Sequence, residues 1–151
     1  MDAPDHQRLL ALLPQARPFR FVDEIIEADR DHVLCKYTYR DDEFFYPGHF
    51  PGDPVTPGVI LIETMAQGVA LHTMYLLSLD LAPIDVERHR ALFAEAQVEF
   101  HKVVYPRQTV YTRAEKTAWR LKRLRSRVEL RDESNQLLVS AVLTSMAVAN
   151  A

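Results

Sequence analysis

His49 and Glu63 are the two side chains of this 151-residue sequence whose setting could do proton chemistry. His49 sits in a loop dense in Pro and Gly, Phe45 to Val55 (FYPGHFPGDPV), and Glu63 sits in the long apolar run from Val59 to Leu77. An imidazole titrates near neutrality, so it can take up a proton and release it again. A carboxylate removed from water must be paired, hydrogen-bonded or protonated. If burial keeps it protonated, it becomes an acid able to serve a leaving group. Taken singly, each residue also has a plainer reading: a histidine in a surface turn, and a glutamate reaching solvent near a helix end.

Local pattern says what must position them. Thr56-Pro57-Gly58 predicts a helix start, with a hydroxyl able to cap, Pro at the first helical position and no side-chain bulk after it. A helix from Pro57 to Ser78 would be about 33 Å long. Being apolar on almost all sides, it belongs inside the protein. Its length equals a membrane span, yet Glu63, Gln67 and His72 favour burial in protein. Gln67 follows Glu63 by one helical turn and can bond to it or to a loop carbonyl, an orienting role. The first amides of the helix, Gly58 and Val59, are candidates to hold a developing oxyanion. His72 reads as a core or interface histidine.

Gly48-His49-Phe50-Pro51-Gly52, Pro54-Val55, Pro57-Gly58-Val59 and Glu63 with Met65-Ala66-Gln67 together resemble the FabZ/FabA-type 3-hydroxyacyl-acyl carrier protein dehydratases. The likeness extends over roughly Leu13 to Val148, with Leu13, Pro14, Pro18, Phe19, Val22 and Asp23 fitting the family's opening segment. It implies an α+β hotdog fold, an antiparallel sheet wrapped around a central helix. It implies dehydration of a (3R)-3-hydroxyacyl carrier protein to the trans-2-enoyl thioester, with His49 as base and Glu63 as acid. Gly58, Val59 and Gln67 would bind substrate or oxyanion. No cofactor or metal is implied beyond the phosphopantetheine arm of the acyl carrier protein. In the family each site is shared between protomers, so a homodimer, a heterodimer with a related hotdog subunit, or a trimer of dimers is expected. Met65, Val69 and Met74 would pack the core or line an acyl tunnel.

The sequence also departs from the family. Gln15-Ala16 stand where it usually has His-Arg, and Pro106-Arg107-Gln108 where it has a Pro-Gly-Asp turn. Asp53-Pro54-Val55 is nearer the FabA-type loop, which leaves isomerase activity open. These differences point to a specialised pathway, such as polyene or polyketide assembly, rather than bulk fatty acid synthesis. Two rival functions share the fold: an acyl thioesterase, and a non-catalytic acyl-binding subunit of a hetero-oligomer.

Around this centre the chain, residues 1–151, reads as one domain with a single antiparallel sheet. Asp5 to Leu13 is a short amphipathic helix stopped by Pro14, and Phe19, Phe21 and Ile25 share a strand face. Val33 to Tyr39 alternates as a strand, Asp41-Asp42-Glu43 makes a solvated turn, and Leu81 to Arg90 is a connecting loop. Strands follow at Leu92–His101, Thr109–Thr117, Leu124–Leu130 and Leu137–Val148, with turns at Trp119–Arg123 and Arg131–Gln136. A single cysteine, Cys35, allows no internal disulfide and fits a reducing cytoplasm, and the acidic, polar start has no signal-peptide pattern. A net charge of -3 leaves no overall nucleic-acid footprint. His6, His32, His89 and His101 are scattered, without a metal-ligand cluster. Arg113 to Arg131 holds eight Lys/Arg against Glu115 and Glu129. That is either a solvated strand face or, at Arg120, Lys122, Arg123 and Arg125, a docking surface for an acidic carrier protein. No aromatic platform interleaves with these residues to favour nucleic acid.

Overall fold

Period-two alternation in the second half of the chain builds a sheet, and the one long apolar run builds the helix that fills it; the computed structural model describes residues 5–150. A short helix α1 (His6–Leu10) is capped by the Asp5 carboxylate, which accepts from the amides of Gln7 and Arg8. Strands β1 (Glu24–Ala28) and β2 (His32–Thr38) precede the central helix α2 (Gly58–Ser78). A single turn of helix, α3 (Pro83–Val86), leads to β3 (His89–Phe100), β4 (Thr109–Arg120), β5 (Arg123–Asp132) and β6 (Leu137–Ala149). All pairings are antiparallel, in the order β1-β2-β4-β5-β6-β3. The hotdog arrangement expected from the motif is therefore present.

Fifteen of the 21 residues of α2 are buried, and the helix packs against β2, β3, β4, β5 and β6. Its length and apolarity would suffice to cross a membrane, but most of that length is enclosed by the sheet. Burying this surface is the main stabilising term, since apolar area contributes about 25 cal/mol per Å². On β2 the alternation is complete: Val33, Cys35 and Tyr37 face inward, as does Tyr39 just beyond. β3 differs. It forms one edge of the sheet, and Leu92, Phe93 and Phe100 are each about half exposed along it.

Several expectations need correction. Phe19 and Phe21 belong to no strand: β1 begins at Glu24, and the Phe19–Phe21 segment is held by Gln67 instead. Glu43 is buried, not solvated, because its carboxylate accepts from the Tyr37 hydroxyl and the Arg40 amide. The segment from Leu81 to Arg90 contains α3 and the start of β3 rather than loop alone. The β4–β5 turn is confined to Leu121-Lys122, both at positive φ (53° and 61°), so Trp119, Arg120 and Arg123 remain in strands. That is the twist a two-residue hairpin needs. At the departure Pro106-Arg107-Gln108, Arg107 itself takes φ 69° and its Nε donates to Asp41 Oδ2 at 2.6 Å.

Candidate active site

The loop carrying His49 is built almost entirely from its own backbone. Phe50 and Asp53 exchange amide–carbonyl bonds (3.0 and 2.9 Å), and the Val55 amide donates to the His49 carbonyl at 2.9 Å. Gly52, at φ 75°, turns the tip, a conformation that costs glycine little. The reversal brings His49 Nδ1 within 2.9 Å of the Val55 carbonyl. A carbonyl can only accept, so Nδ1 carries a hydrogen, and in the neutral ring the lone pair is on Nε2. The imidazole stacks on Phe50, ring centroids 4.2 Å apart, and is half-buried.

Thr56 does not cap the helix as expected. Pro57 holds the N-cap position, with no side chain capping it, and the Thr56 hydroxyl bonds to the Tyr46 hydroxyl instead (2.7 Å, buried). Ile60 and Leu61 both donate to the Pro57 carbonyl, so the first turn is well formed and the amides of Gly58 and Val59 head it. Val59 itself is 72% exposed. Glycine at 58 leaves room for the Phe100 ring: a Cβ there would meet the ring's far edge at 3.0 Å. His49, Val55, Gly58, Leu61, Phe100 and Val103 wall a cavity of about 400 Å³.

Glu63 opens into a different cavity, a slot of about 110 Å³ between α2, β3 and β6, lined also by Gln15, Ala66, Ala70, Phe93 and Ser145. Burial raises its pKa above the ordinary 4.5, and the hydrogen bond from Gln67 opposes that only in part. Gln67 makes both bonds that its position suggested. Its Nε2 donates to Glu63 Oε2 and to the Phe19 carbonyl (each 2.9 Å), and its Oε1 accepts from the Phe21 amide at 2.7 Å. It ties the acid to the segment that replaces the expected strand.

The two cavities share no lining residue. Five residues at about 100° each turn Glu63 about 140° around the helix from Gly58. One chain thus presents His49 with the helix N-terminus on one side and Glu63 on another. Arg120, Lys122, Arg123 and Arg125 lie elsewhere again. Pairing of Arg123 with Met146, and of Met146 with Leu92, places this hairpin beside the start of β3, whereas the His49 cavity borders its end. Arg123 reaches Glu95 at 3.3 Å, and Lys122 Nζ lies 3.1 Å from His89 Nε2. His72 is buried, with Nε2 donating to the Asp29 carbonyl at 2.8 Å, and burial holds its pKa below the usual value. A further cavity of about 350 Å³, between α1 and the far end of α2, contains neither His49 nor Glu63.

Pattern reading missed Gln15 as a wall of the acid's slot, and Tyr46 with Thr56 as a clasp on the histidine loop. For Gln15 the departure from the family was itself the signal. For the clasp the only sign was a pair of hydroxyl residues bracketing the loop.

Comparison with known proteins agrees with this architecture. The chain matches the FabA-like domain over residues 13–138. It is 34% identical over 116 residues to the 3-hydroxyacyl-[acyl-carrier-protein] dehydratase FabZ of Rhizobium rhizogenes, covering 68% of this chain and 70% of that enzyme. It is 48% identical over 63 residues, 42% of its length, to the bifunctional enzyme LpxC/FabZ of Porphyromonas gingivalis, and spans 14% of that longer protein. Among solved structures, the dehydratase heterocomplex ApeI:P from Xenorhabdus doucetiae superposes with a TM-score of 0.75 at 17% identity, covering 93% of this chain and 90% of that one. On motif, fold and match together, this chain belongs to the FabA-like family of hotdog proteins, of the FabZ/FabA dehydratase type.

Proposed function

We propose that this chain dehydrates a (3R)-3-hydroxyacyl thioester, carried on the phosphopantetheine arm of acyl carrier protein, to the trans-2-enoyl thioester. The observation that carries the reading is the fixed tautomer of His49: Nδ1–H is spent on the Val55 carbonyl, which leaves Nε2 as a base. In the reaction Nε2 removes a proton from C2, and negative charge moves onto the thioester oxygen. The amides of Gly58 and Val59 meet that charge at the positive end of α2. The C3–O bond breaks toward oxygen, which takes the proton of Glu63 and departs as water. His49 then loses its proton to solvent and Glu63 regains one. No metal or other cofactor has a step in this scheme.

The separate cavities support a site made by two copies, in which His49 of one protomer faces Glu63 of the partner subunit across the acyl slot. The half-exposed edge strand β3, with Phe93 and Phe100, is a surface that such a partner would cover. A related hotdog chain could take the partner's place, as the heterocomplex among the structural relatives illustrates for that protein. Carrier-protein docking falls to Arg120, Lys122, Arg123 and Arg125, where the exposed Leu121 adds an apolar contact among the cations. Cytoplasmic residence and a polyene or polyketide pathway remain part of this proposal.

Mass-spectrometric assay of 3-hydroxyacyl carrier protein tests it. The wild type should form the 2-enoyl thioester, and His49→Ala should lose roughly 10²- to 10⁴-fold in rate. Free acid and thiol as products would identify a thioesterase. Full activity of a His49→Ala complex would identify a non-catalytic subunit.

A further inference from the structure

Beside Glu63 the slot holds a second polar side chain that the reaction above leaves without a task. Gln15 follows Pro14 in the segment that departs from the family's usual His-Arg, and it lines the same cavity as Glu63, Ala66, Thr144 and Ser145. Its Oε1 is buried without a hydrogen-bond donor among the described residues. A buried carbonyl oxygen left without a donor is unfavourable, and a ligand that brings one relieves it. No neighbour among the described residues bonds to this oxygen. Gln67 spends its amide on Phe19 and Glu63 and its oxygen on Phe21, while the Ser145 hydroxyl pairs with Thr73 at 3.1 Å.

The chemistry asks for one more acceptor in this slot. The 3-hydroxyl group receives a proton on its oxygen from Glu63 while keeping its own hydrogen throughout. As the C3–O bond breaks, the departing water has two O–H groups. The new carboxylate accepts the one it delivered, and the original one needs another acceptor. The last torsion of a glutamine is broad and nearly two-fold, so a turn of the carboxamide presents Oε1 to the cavity at little cost. We propose that Gln15 recognises the substrate's 3-hydroxyl group, its carboxamide oxygen accepting the hydroxyl hydrogen while Glu63 protonates the oxygen. This assignment rests on the reading of Glu63 as the acid. It makes Gln15 a determinant of hydroxyacyl over saturated acyl substrates, because a saturated chain offers the amide no donor.

The test uses the full chain with 3-hydroxyacyl carrier protein at the chain length turned over best, and the saturated acyl carrier protein of that length as competitor. Gln15→Met keeps the volume and removes the acceptor, so kcat/KM for dehydration should fall about tenfold or more while the competitor's inhibition constant stays within about twofold. Gln15→His restores an acceptor at this position and should regain most of the rate. A Gln15→Met enzyme with unchanged kcat/KM overturns the assignment. So does a parallel loss of affinity for the saturated competitor, which would mark a merely structural wall. If the wild type dehydrates no 3-hydroxyacyl chain of any length, the dehydratase reading itself falls and this assignment with it.

Discussion

The two halves of the site are built on opposite principles. The histidine half is largely local: Tyr46 to Thr56 closes on itself through backbone bonds, the His49–Val55 contact and the Tyr46–Thr56 hydroxyl pair, and the Thr56 amide reaches outside it to the Val104 carbonyl. The acid half is assembled from Gln15, the early part of α2, the start of β3 and the middle of β6, segments far apart in sequence. It contains a carboxyl group with a raised pKa and an acceptor without a donor. The difference matches what the proposed reaction asks of each group. A base needs its ring fixed and one nitrogen open, which a short loop can arrange. An acid that must stay protonated needs removal from water, which only tertiary packing supplies.

Glu63→Gln breaks the comparison most strongly, and on two axes. The amide keeps a hydrogen bond to Gln67 but cannot give up a proton usefully, so kcat should fall roughly 10²- to 10⁴-fold. Stability should move the other way. Because the folded pKa of Glu63 lies above the ordinary 4.5, the folded chain still holds a proton that the unfolded chain has released once the pH exceeds that value. Wild-type stability therefore falls as pH rises from the ordinary carboxylate range through the raised pKa, and is unaffected by this group below it. Glu63→Gln lacks the penalty. Urea denaturation should find the variant more stable than wild type at about pH 8 and the gap closed at about pH 4. An equal gap at both would show that the carboxyl is not desolvated in solution.

The same contrast explains what could be read from sequence. His49, Glu63 and Gln67 stand out because Pro and Gly fix a loop locally and because a carboxylate within an apolar helix is anomalous wherever it occurs. The strands with clean alternation, β2 and β4 above all, were legible for the same reason. What escaped depended on side-chain partners outside the short window that a propensity rule reads. Phe19 and Phe21 have the spacing of a strand, but the Phe19 carbonyl and the Phe21 amide are taken by the side chain of Gln67, 46 residues from Phe21. Three acids in a row suggest solvent, yet Glu43 finds the Tyr37 hydroxyl beneath it. Thr56 carries the right hydroxyl for a cap, and no inspection of the helix start shows that Tyr46 claims it first. In each case a side chain from elsewhere outbid the local rule.

Gly58→Ala is next in expected size, and it probes the join between the halves. The new Cβ meets the Phe100 ring at 3.0 Å, so either the ring or the helix start must shift. Overpacking costs about 1–3 kcal/mol in a closed core, and the expected cost beside this half-exposed ring is at the low end of that range. A shift of the helix start also misaligns the amides with the thioester oxygen, for an expected loss of roughly tenfold in kcat. Phe100→Leu, which vacates the contact, should restore much of both in the double variant. If the double variant is no better than Gly58→Ala alone, the glycine serves the backbone rather than the space beside Phe100.

The smallest effect tests whether the histidine half is as self-sufficient as its bonds suggest. The Val55–Thr56 peptide carries the carbonyl that fixes His49, and two contacts hold that peptide: the Thr56 amide donates to the Val104 carbonyl at 2.8 Å, and the Thr56 hydroxyl meets Tyr46 at 2.7 Å. Burial pushes the Tyr46 phenol up to about 12, so it stays a neutral hydroxyl at any working pH. Tyr46→Phe removes that one atom and leaves the ring in its buried place. Loss of a buried hydroxyl pair should cost about 1 kcal/mol of stability. Looser aim of the Val55 carbonyl should cost a few-fold in kcat with KM unchanged, and the His49 Nδ1–H resonance should exchange faster with solvent. Thr56→Val should do the same, and the two together little more than either, because both delete one bond. Additive losses would mean that each hydroxyl acts through a different neighbour, and that the loop is held by the rest of the fold rather than by its own clasp.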